Sequence, residues 1–148
     1  MLKEVLTRLV GITIVATGRA IKTHNLKVFD TNSFEITPEQ YVVLNTLNEN
    51  GPLYQKELGE KLYKDKANVT RLVSILEEKG LVEKNSQIEN EKQVNKVKIT
   101  DDGIIVREKI APVIDAARRG YVHNISEDEL YTCVKVLEKI RENLSRKL

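Results

Sequence analysis

Residues 54–84 read YQKELGEKLYKDKANVTRLVSILEEKGLVEK, a short helix, a tight turn, a second helix and the opening strand of a hairpin. Leu58, Leu62, Val69 and Leu72 fall where two short helices crossing steeply share a core. Gly59 lies between the first two of these. A glycine inside a helix costs about 1 kcal/mol relative to alanine, so this one predicts a close approach by the second helix. The plainer alternative is an ordinary helix carrying one poor residue. The second helix is expected to start near Asp65 or Lys66 and to stop at Gly80, the residue type that ends helices in a left-handed conformation.

The core stripe of that second helix is Val69, Leu72, Val73 and Leu76. A turn of about 100° per residue puts Ala67, Thr70, Arg71 and Ser74 on the opposite face, with Asn68 and Ile75 at its edges. This face is small, polar and nearly free of acid, as a helix entering the major groove of duplex DNA requires. Acid appears only at Glu77 and Glu78, so the amino-terminal half is the part expected in the groove, aided by the positive end of the helix dipole. For any one of these residues a solvated helix face is the alternative; the joint pattern favours DNA.

After Gly80, LVEK leads into a polar loop, NSQIENEK (85–92), and then into VNKVKIT (94–100). Alternation from Val94 to Thr100 puts Val97 and Ile99 on one face and Lys96 and Lys98 on the other, as for a strand half buried against helices. The loop tip is the expected wing. Lys92, with Lys84 nearby, is placed to reach phosphates or a minor groove, although lysines on a hairpin also serve simply as solubilising charges.

The run from Tyr54 to Lys84, followed by a polar hairpin and KITDDG, resembles the MarR family of bacterial transcriptional regulators. The similarity extends over the whole chain in element order and is most specific in DKANVTRLVSILEEKGLV. It implies a homodimer built from long first and last helices, in which each winged motif reads half of a pseudo-palindromic operator. It also implies release by a small aromatic or lipophilic effector, by oxidation or by metal, and, by analogy, an effector pocket near Ile14, Tyr41 and Ile110. One departure stands out. Where the family usually carries Asp-x-Arg in the wing, counting back from Ile99-Thr100, this chain has Glu91 and Gln93. Gln93 still offers hydrogen bonds to A·T acceptors, and Lys92 supplies charge next door, but an arginine's fixed charge and its attraction to a narrow groove are lost. A weaker or redistributed wing contact is expected, and the acid–arginine pairing that braces the family's wing has no counterpart at these positions.

The flanks agree with a dimer. Thr37-Pro38-Glu39-Gln40 joins an N-cap, a first-turn proline and a glutamine, so a helix is expected from there to about Asn50. Ser126-Glu127-Asp128-Glu129 opens the last helix, whose stripe is Leu130, Cys133 or Val134, Leu137, Ile140 and Leu144. A first helix from about Leu2 to Lys22 carries Leu2, Val5, Leu6, Leu9, Ile12, Thr13 and Ala16 on a comparable stripe. Pairing the two end helices with each other and with a second subunit buries both stripes; an intrachain helical layer in a monomer is the rival arrangement. A long helix from about Asp101 to Tyr121 connects the two regions, with Pro112 bending it or marking a junction. The fold class expected is mainly α with a small β-hairpin wing. Residues 1–148 form a single domain, with 1–36 and 101–148 as dimerisation helices and 37–100 as the winged helix-turn-helix.

At 148 residues the chain is long enough for one domain with a real core, and 31% of it is charged. The net charge of +2 is small, so DNA affinity has to come from local clustering over the motif. No apolar run approaches a membrane span and the amino terminus is broken up by charge, so a cytoplasmic location is expected. One cysteine and two histidines, with no C-x-x-C or H-x-x-x-H spacing, mark no catalytic or metal constellation. No enzyme activity and no cofactor are expected. His24 and His123 each lie past a long helix and are open to a shared metal site or to a role as plain polar side chains. Cys133, on the interface stripe, reads as a buried inert thiol rather than a redox sensor.

The expectation is a sequence-specific double-stranded DNA-binding regulator, a homodimeric repressor relieved by a small molecule. Ala67, Asn68, Thr70 and Ser74 face bases, Asn68 suiting an adenine and Arg71 a guanine or a phosphate. Gln55, Lys56 and Lys66 hold phosphates, and Lys84, Lys92, Gln93 and Lys96 supply the wing contacts. The alternative is a protein-interaction module on a winged scaffold with weak or non-specific DNA binding.

Overall fold

Six helices and a three-stranded antiparallel sheet make up the computed structural model, which describes residues 1–146. They are α1 (Leu2–Thr31), α2 (Pro38–Asn50), β1 (Leu53–Tyr54), α3 (Gln55–Leu62), α4 (Lys66–Glu78), β2 (Val82–Glu89), β3 (Lys92–Ile99), α5 (Asp101–Tyr121) and α6 (Glu127–Ser145). The chain divides into two compact units, Met1–Asp115 and Ala116–Leu148.

The capping signals in the sequence act as expected. The Thr37 hydroxyl accepts from the Gln40 backbone N–H while the Gln40 side chain accepts from the Thr37 N–H, with Pro38 in the first turn. Ser126 and Glu129 repeat the reciprocal pair at the start of α6. These bonds satisfy amide donors that the first helical turn leaves without partners.

Within the first unit, Tyr41, Leu44 and Leu47 of α2 are buried with Leu58 of α3, Val69, Leu72, Val73 and Leu76 of α4, Val97 of β3 and Ile110 of α5. The four α4 residues are the stripe predicted from helical periodicity. Gly59 is buried, and a Cβ there would lie 3.0 Å from the Lys64 carbonyl oxygen and 3.2 Å from Val69 Cγ2. The close approach inferred from the sequence is thus made by Val69 of the second helix and by the turn before it.

Three boundaries differ from expectation. Helix α1 runs on past Lys22 to Thr31, so His24 lies inside a helix and not beyond its end. The extra turns are held by tertiary packing: Phe29 is buried, with its ring edge-on to Phe34 at 5.2 Å and to Tyr41 at 6.2 Å. The polar stretch 85–92 is not a loop. Residues through Glu89 continue β2, and Lys92 already belongs to β3, because the backbone pairs in full register from Val82↔Ile99 to Glu89↔Lys92 whatever the polarity of the side chains. Only Asn90 and Glu91 turn, both in the left-handed region at φ 49° and 63°, the geometry that matches hairpin twist. Finally, Leu53 and Tyr54 pair with Val97 and Lys96, adding β1 to the hairpin in the order β1-β3-β2. Two residues are too short a run for alternation to reveal.

The amino-terminal part of α1 leaves Leu2, Leu6, Leu9, Ile12 and Val15 exposed. In the second unit, α6 has no buried residue, and Tyr131, Val134, Val136 and Leu144 are exposed. Helix α5 continues through Pro112 as one element. Cys133 is exposed in the single chain.

Candidate nucleic-acid interface

Helix α4 is set by bonds at both ends. The Asp65 side chain accepts from the Asn68 N–H at 2.8 Å, capping its first turn. Tyr63, in the left-handed region at φ 53°, ends α3 and lets the Lys64 N–H reach the Gly59 carbonyl at 3.0 Å. At the far end Gly80 takes φ 74°, and the Leu81 N–H bonds the Leu76 carbonyl at 2.9 Å. With the apolar stripe buried, Ala67, Asn68, Thr70 and Arg71 are left exposed on the outer face and Ser74 half-buried beside them. The amino-terminal turn of α4 contains no acid.

An open cavity of about 610 Å³ lies where α3, α4 and β3 meet. Five of the residues expected to touch DNA border it: Gln55, Lys56, Lys66, Thr70 and Gln93. Gln55 donates from Nε2 to Thr70 Oγ1 at 3.2 Å, fastening α3 to the outer face of α4, and its Oε1 is enclosed and unpartnered. Lysine ammonium groups around a concave notch beside an exposed polar helix suit a polyanionic strand laid across it.

Other expected contacts are already engaged within the chain. Arg71 Nη2 lies 3.7 Å from Glu39 Oε2 of α2, and Lys64 Nζ lies 3.4 Å from the same oxygen. Lys84 Nζ is 3.9 Å from Glu77 Oε1, which ties the base of β2 to α4. Lys96 Nζ sits 5.2 Å from the centroid of the Tyr54 ring. Lys92 and Gln93 are exposed at the start of β3. Successive residues of a strand point to opposite faces, so Lys92 and Gln93 project from opposite sides of the wing.

Three residues important to the interface escaped the sequence reading: Glu39, Tyr54 and Glu89. The Tyr54 hydroxyl donates to Glu89 Oε1 at 2.6 Å, joining residues 35 apart in the chain. That hydrogen bond, then desolvation and the nearby carboxylate charges, raise the Tyr54 phenol above its usual pKa. None of the three lies in a local motif that predicts its partner; the sheet brings Tyr54 and Glu89 within reach of each other, and the packing of α2 against α4 and the turn before it brings Glu39 to Arg71 and Lys64.

Among the described residues no group of three or more His, Cys, Asp or Glu side chains gathers at metal-binding spacing, and no helix is long and apolar enough to cross a membrane. His24 and His123 are both exposed.

Residues 36–94 match the family profile described as "MarR family". The fold is similar to that of AbsC, a MarR family transcriptional regulator from Streptomyces coelicolor, with TM-score 0.77, 19% identity and coverage of 93% of each chain. It is similar also to S. aureus MepR, solved in complex with DNA, with TM-score 0.76, 22% identity, and coverage of 92% of this chain and 96% of that one. A third similar structure is PcaV from Streptomyces coelicolor, solved with its natural ligand, with TM-score 0.70, 22% identity, and coverage of 85% and 89%. At these identities the structural likeness establishes the fold.

Proposed function

We propose, from the premise that this chain belongs through residues 36–94 to the MarR family, that it is a homodimeric repressor reading a pseudo-palindromic double-stranded operator. Members of that family are transcription regulators and not enzymes, and the chain is accordingly a DNA-binding regulator. The observation that carries the finer reading is the outer face of α4. Ala67, Asn68, Thr70 and Arg71 are exposed together, without an acid among them, above a notch bordered by Lys56 and Lys66.

In this reading the two α4 helices of a dimer enter successive major grooves about 34 Å apart. Asn68 reads an adenine through N6 and N7, and Arg71 leaves Glu39 for a guanine or a phosphate. Gln55, Lys56 and Lys66 hold the backbone and set the register. The exposed apolar residues of α1 and α6 supply the dimer contact, with residues 1–36 and 101–148 as its dimerisation helices. A small aromatic or lipophilic ligand relieves repression by altering the separation of the two α4 helices, because both half-sites are bound only at one distance. That PcaV was solved with a natural ligand supports regulation by a bound effector.

Fluorescence anisotropy against the chain's own upstream intergenic DNA and a scrambled duplex of equal length, across a salt series, tests the reading. Saturable preference for the upstream duplex, one dimer per site, with affinity falling steeply as salt rises, is the expected result. The rival, an interaction module that kept the winged scaffold, is favoured by Gln93 standing where the family's wing arginine belongs. Equal and weak binding to both duplexes would support that rival.

A further inference from the structure

The wing of this chain lacks the acid–arginine pair at positions 91 and 93, yet it is not left as a free hairpin. Glu89, the last residue of β2, accepts a 2.6 Å hydrogen bond from the Tyr54 hydroxyl. Tyr54 belongs to β1, whose backbone pairs with Lys96 four residues back from the wing tip at Lys92. Strand alternation puts Lys96 and Lys92 on one face of β3, and Glu89 is opposite Lys92 in register, so Tyr54, Lys96 and Glu89 share a face of the sheet. The ring lies under the Lys96 ammonium at 5.2 Å while its hydroxyl reaches the distal end of the hairpin. The Tyr54 backbone N–H is held in turn by Glu57 Oε1 of α3 at 3.0 Å.

We infer that Tyr54 is the positioning residue of the wing, a diagonal strut that fixes the hairpin tip against the start of α3 and so sets how Lys92 and Gln93 meet DNA. A two-stranded hairpin projecting beyond its core has little to resist flexing or twisting. Here one aromatic side chain bonds the far end of β2 and stacks on β3, while its own backbone is anchored to the helix that carries Gln55 and Lys56. A hydrogen bond from a phenol to an ionised carboxylate is among the stronger side-chain bonds, and its length fits that class. The strut takes over, from outside the hairpin, the bracing that an acid–arginine pair within it would provide.

This inference rests on the DNA-reading function proposed above, and the test separates the two. Amide hydrogen exchange over residues 86–95 in the free full-length protein needs no DNA. Tyr54→Phe, which keeps the ring under Lys96 and removes only the hydroxyl, is expected to lower protection there several-fold while leaving α4 unchanged. Glu89→Ala should do the same, and Glu89→Gln, which retains an acceptor, should restore most of the protection. Unchanged exchange in Tyr54→Phe, or loss spread evenly over the whole first unit, would overturn the strut.

Operator affinity is then measured in a cycle with a wing-tip variant, Lys92→Ala with Gln93→Ala. Tyr54→Phe should weaken binding several-fold in the natural background and by less than about twofold when the wing tip is already removed, since contacts in one network are not additive. Equal losses in both backgrounds would mean a general structural effect and would refute a wing-specific role. Absence of operator preference in the unsubstituted protein would refute the function while leaving the exchange result to decide the strut.

Discussion

Gly103→Ala is the sharpest test of how the wing is joined to α5. Gly103 is the third residue of that helix and is buried. An added Cβ would collide with the Leu81 backbone carbonyl oxygen and come within 2.8 Å of Ile99 Cγ1. The Leu81 carbonyl already accepts from the Thr100 N–H at 3.1 Å, while Thr100 Oγ1 donates to the Gly80 carbonyl at 2.7 Å and accepts from the Gly103 N–H at 3.1 Å. The obstacle is therefore backbone held by a small hydrogen-bonded lattice, which cannot step aside as a flexible side chain would. Overpacking of this kind typically costs about 1–3 kcal/mol and occasionally more. Alanine's helix preference returns at most about 1 kcal/mol. Because the clash falls on backbone, the cost belongs at the upper end of that range, and the net expectation is a loss of about 2 kcal/mol. With a urea slope of about 1–3 kcal/mol per molar, the unfolding midpoint should fall by roughly 1 M. Protein concentration is held fixed, because the stability of the proposed dimer would vary with it. Gly120→Ala provides the control in the same helix. Nothing lies within 4 Å of the position a Cβ would take, so it should be neutral or stabilising. A Gly103→Ala midpoint equal to or above the parent's would refute the close-approach argument.

Three further outcomes are expected. Asp65→Ala removes the side-chain acceptor of the Asn68 N–H, and should lower stability by about 1 kcal/mol in the same urea assay while fraying the first turn of α4. Glu39→Gln frees Arg71 and Lys64 from a partly exposed carboxylate, and since such pairs are worth about 0–1 kcal/mol, duplex affinity should rise up to several-fold with a steeper salt dependence. Weaker binding would show that Glu39 aims Arg71 instead of restraining it. Tyr54, raised above 10.0 by its bond to Glu89, gives a strut that is intact below its unfolded pKa and lost only as pH rises through the higher folded value. Ultraviolet titration of tyrosinate, compared between the parent and Tyr54→Phe, should show that the missing step lies above the ordinary range, and a step at or below it would contradict the hydrogen bond.

The parts of the fold that were legible in the sequence are those fixed by local rules. Thr37 to Gln40 and Ser126 to Glu129 announce helix starts because the atoms that satisfy the first-turn amides lie within three residues. The α4 stripe and the acid-free outer face of its amino-terminal half follow from helical period alone. What was hidden depends on partners distant in sequence. The last turns of α1 are kept by the packing of Phe29 on Tyr41, which no local preference encodes. The strands at 85–89 carry polar residues on both faces, so hydrophobic alternation is silent and only backbone pairing defines them. The same distance hid the restraint on Arg71 by Glu39 and the contact of Tyr54 with Glu89: a motif marks residues able to touch DNA but not those that hold them back or hold them still.

The two-residue turn at Asn90 and Glu91 places an arithmetic limit on how this wing can vary. With every position from Val82 to Glu89 paired to one from Lys92 to Ile99, an insertion or deletion of one residue in either strand inverts the faces of everything on its tip side. Gln93 would exchange places with its neighbour, and Glu89 would turn away from Tyr54. Relatives that preserve this geometry should therefore differ in hairpin length by two residues in each strand at a time, or else carry a bulge that absorbs an odd one.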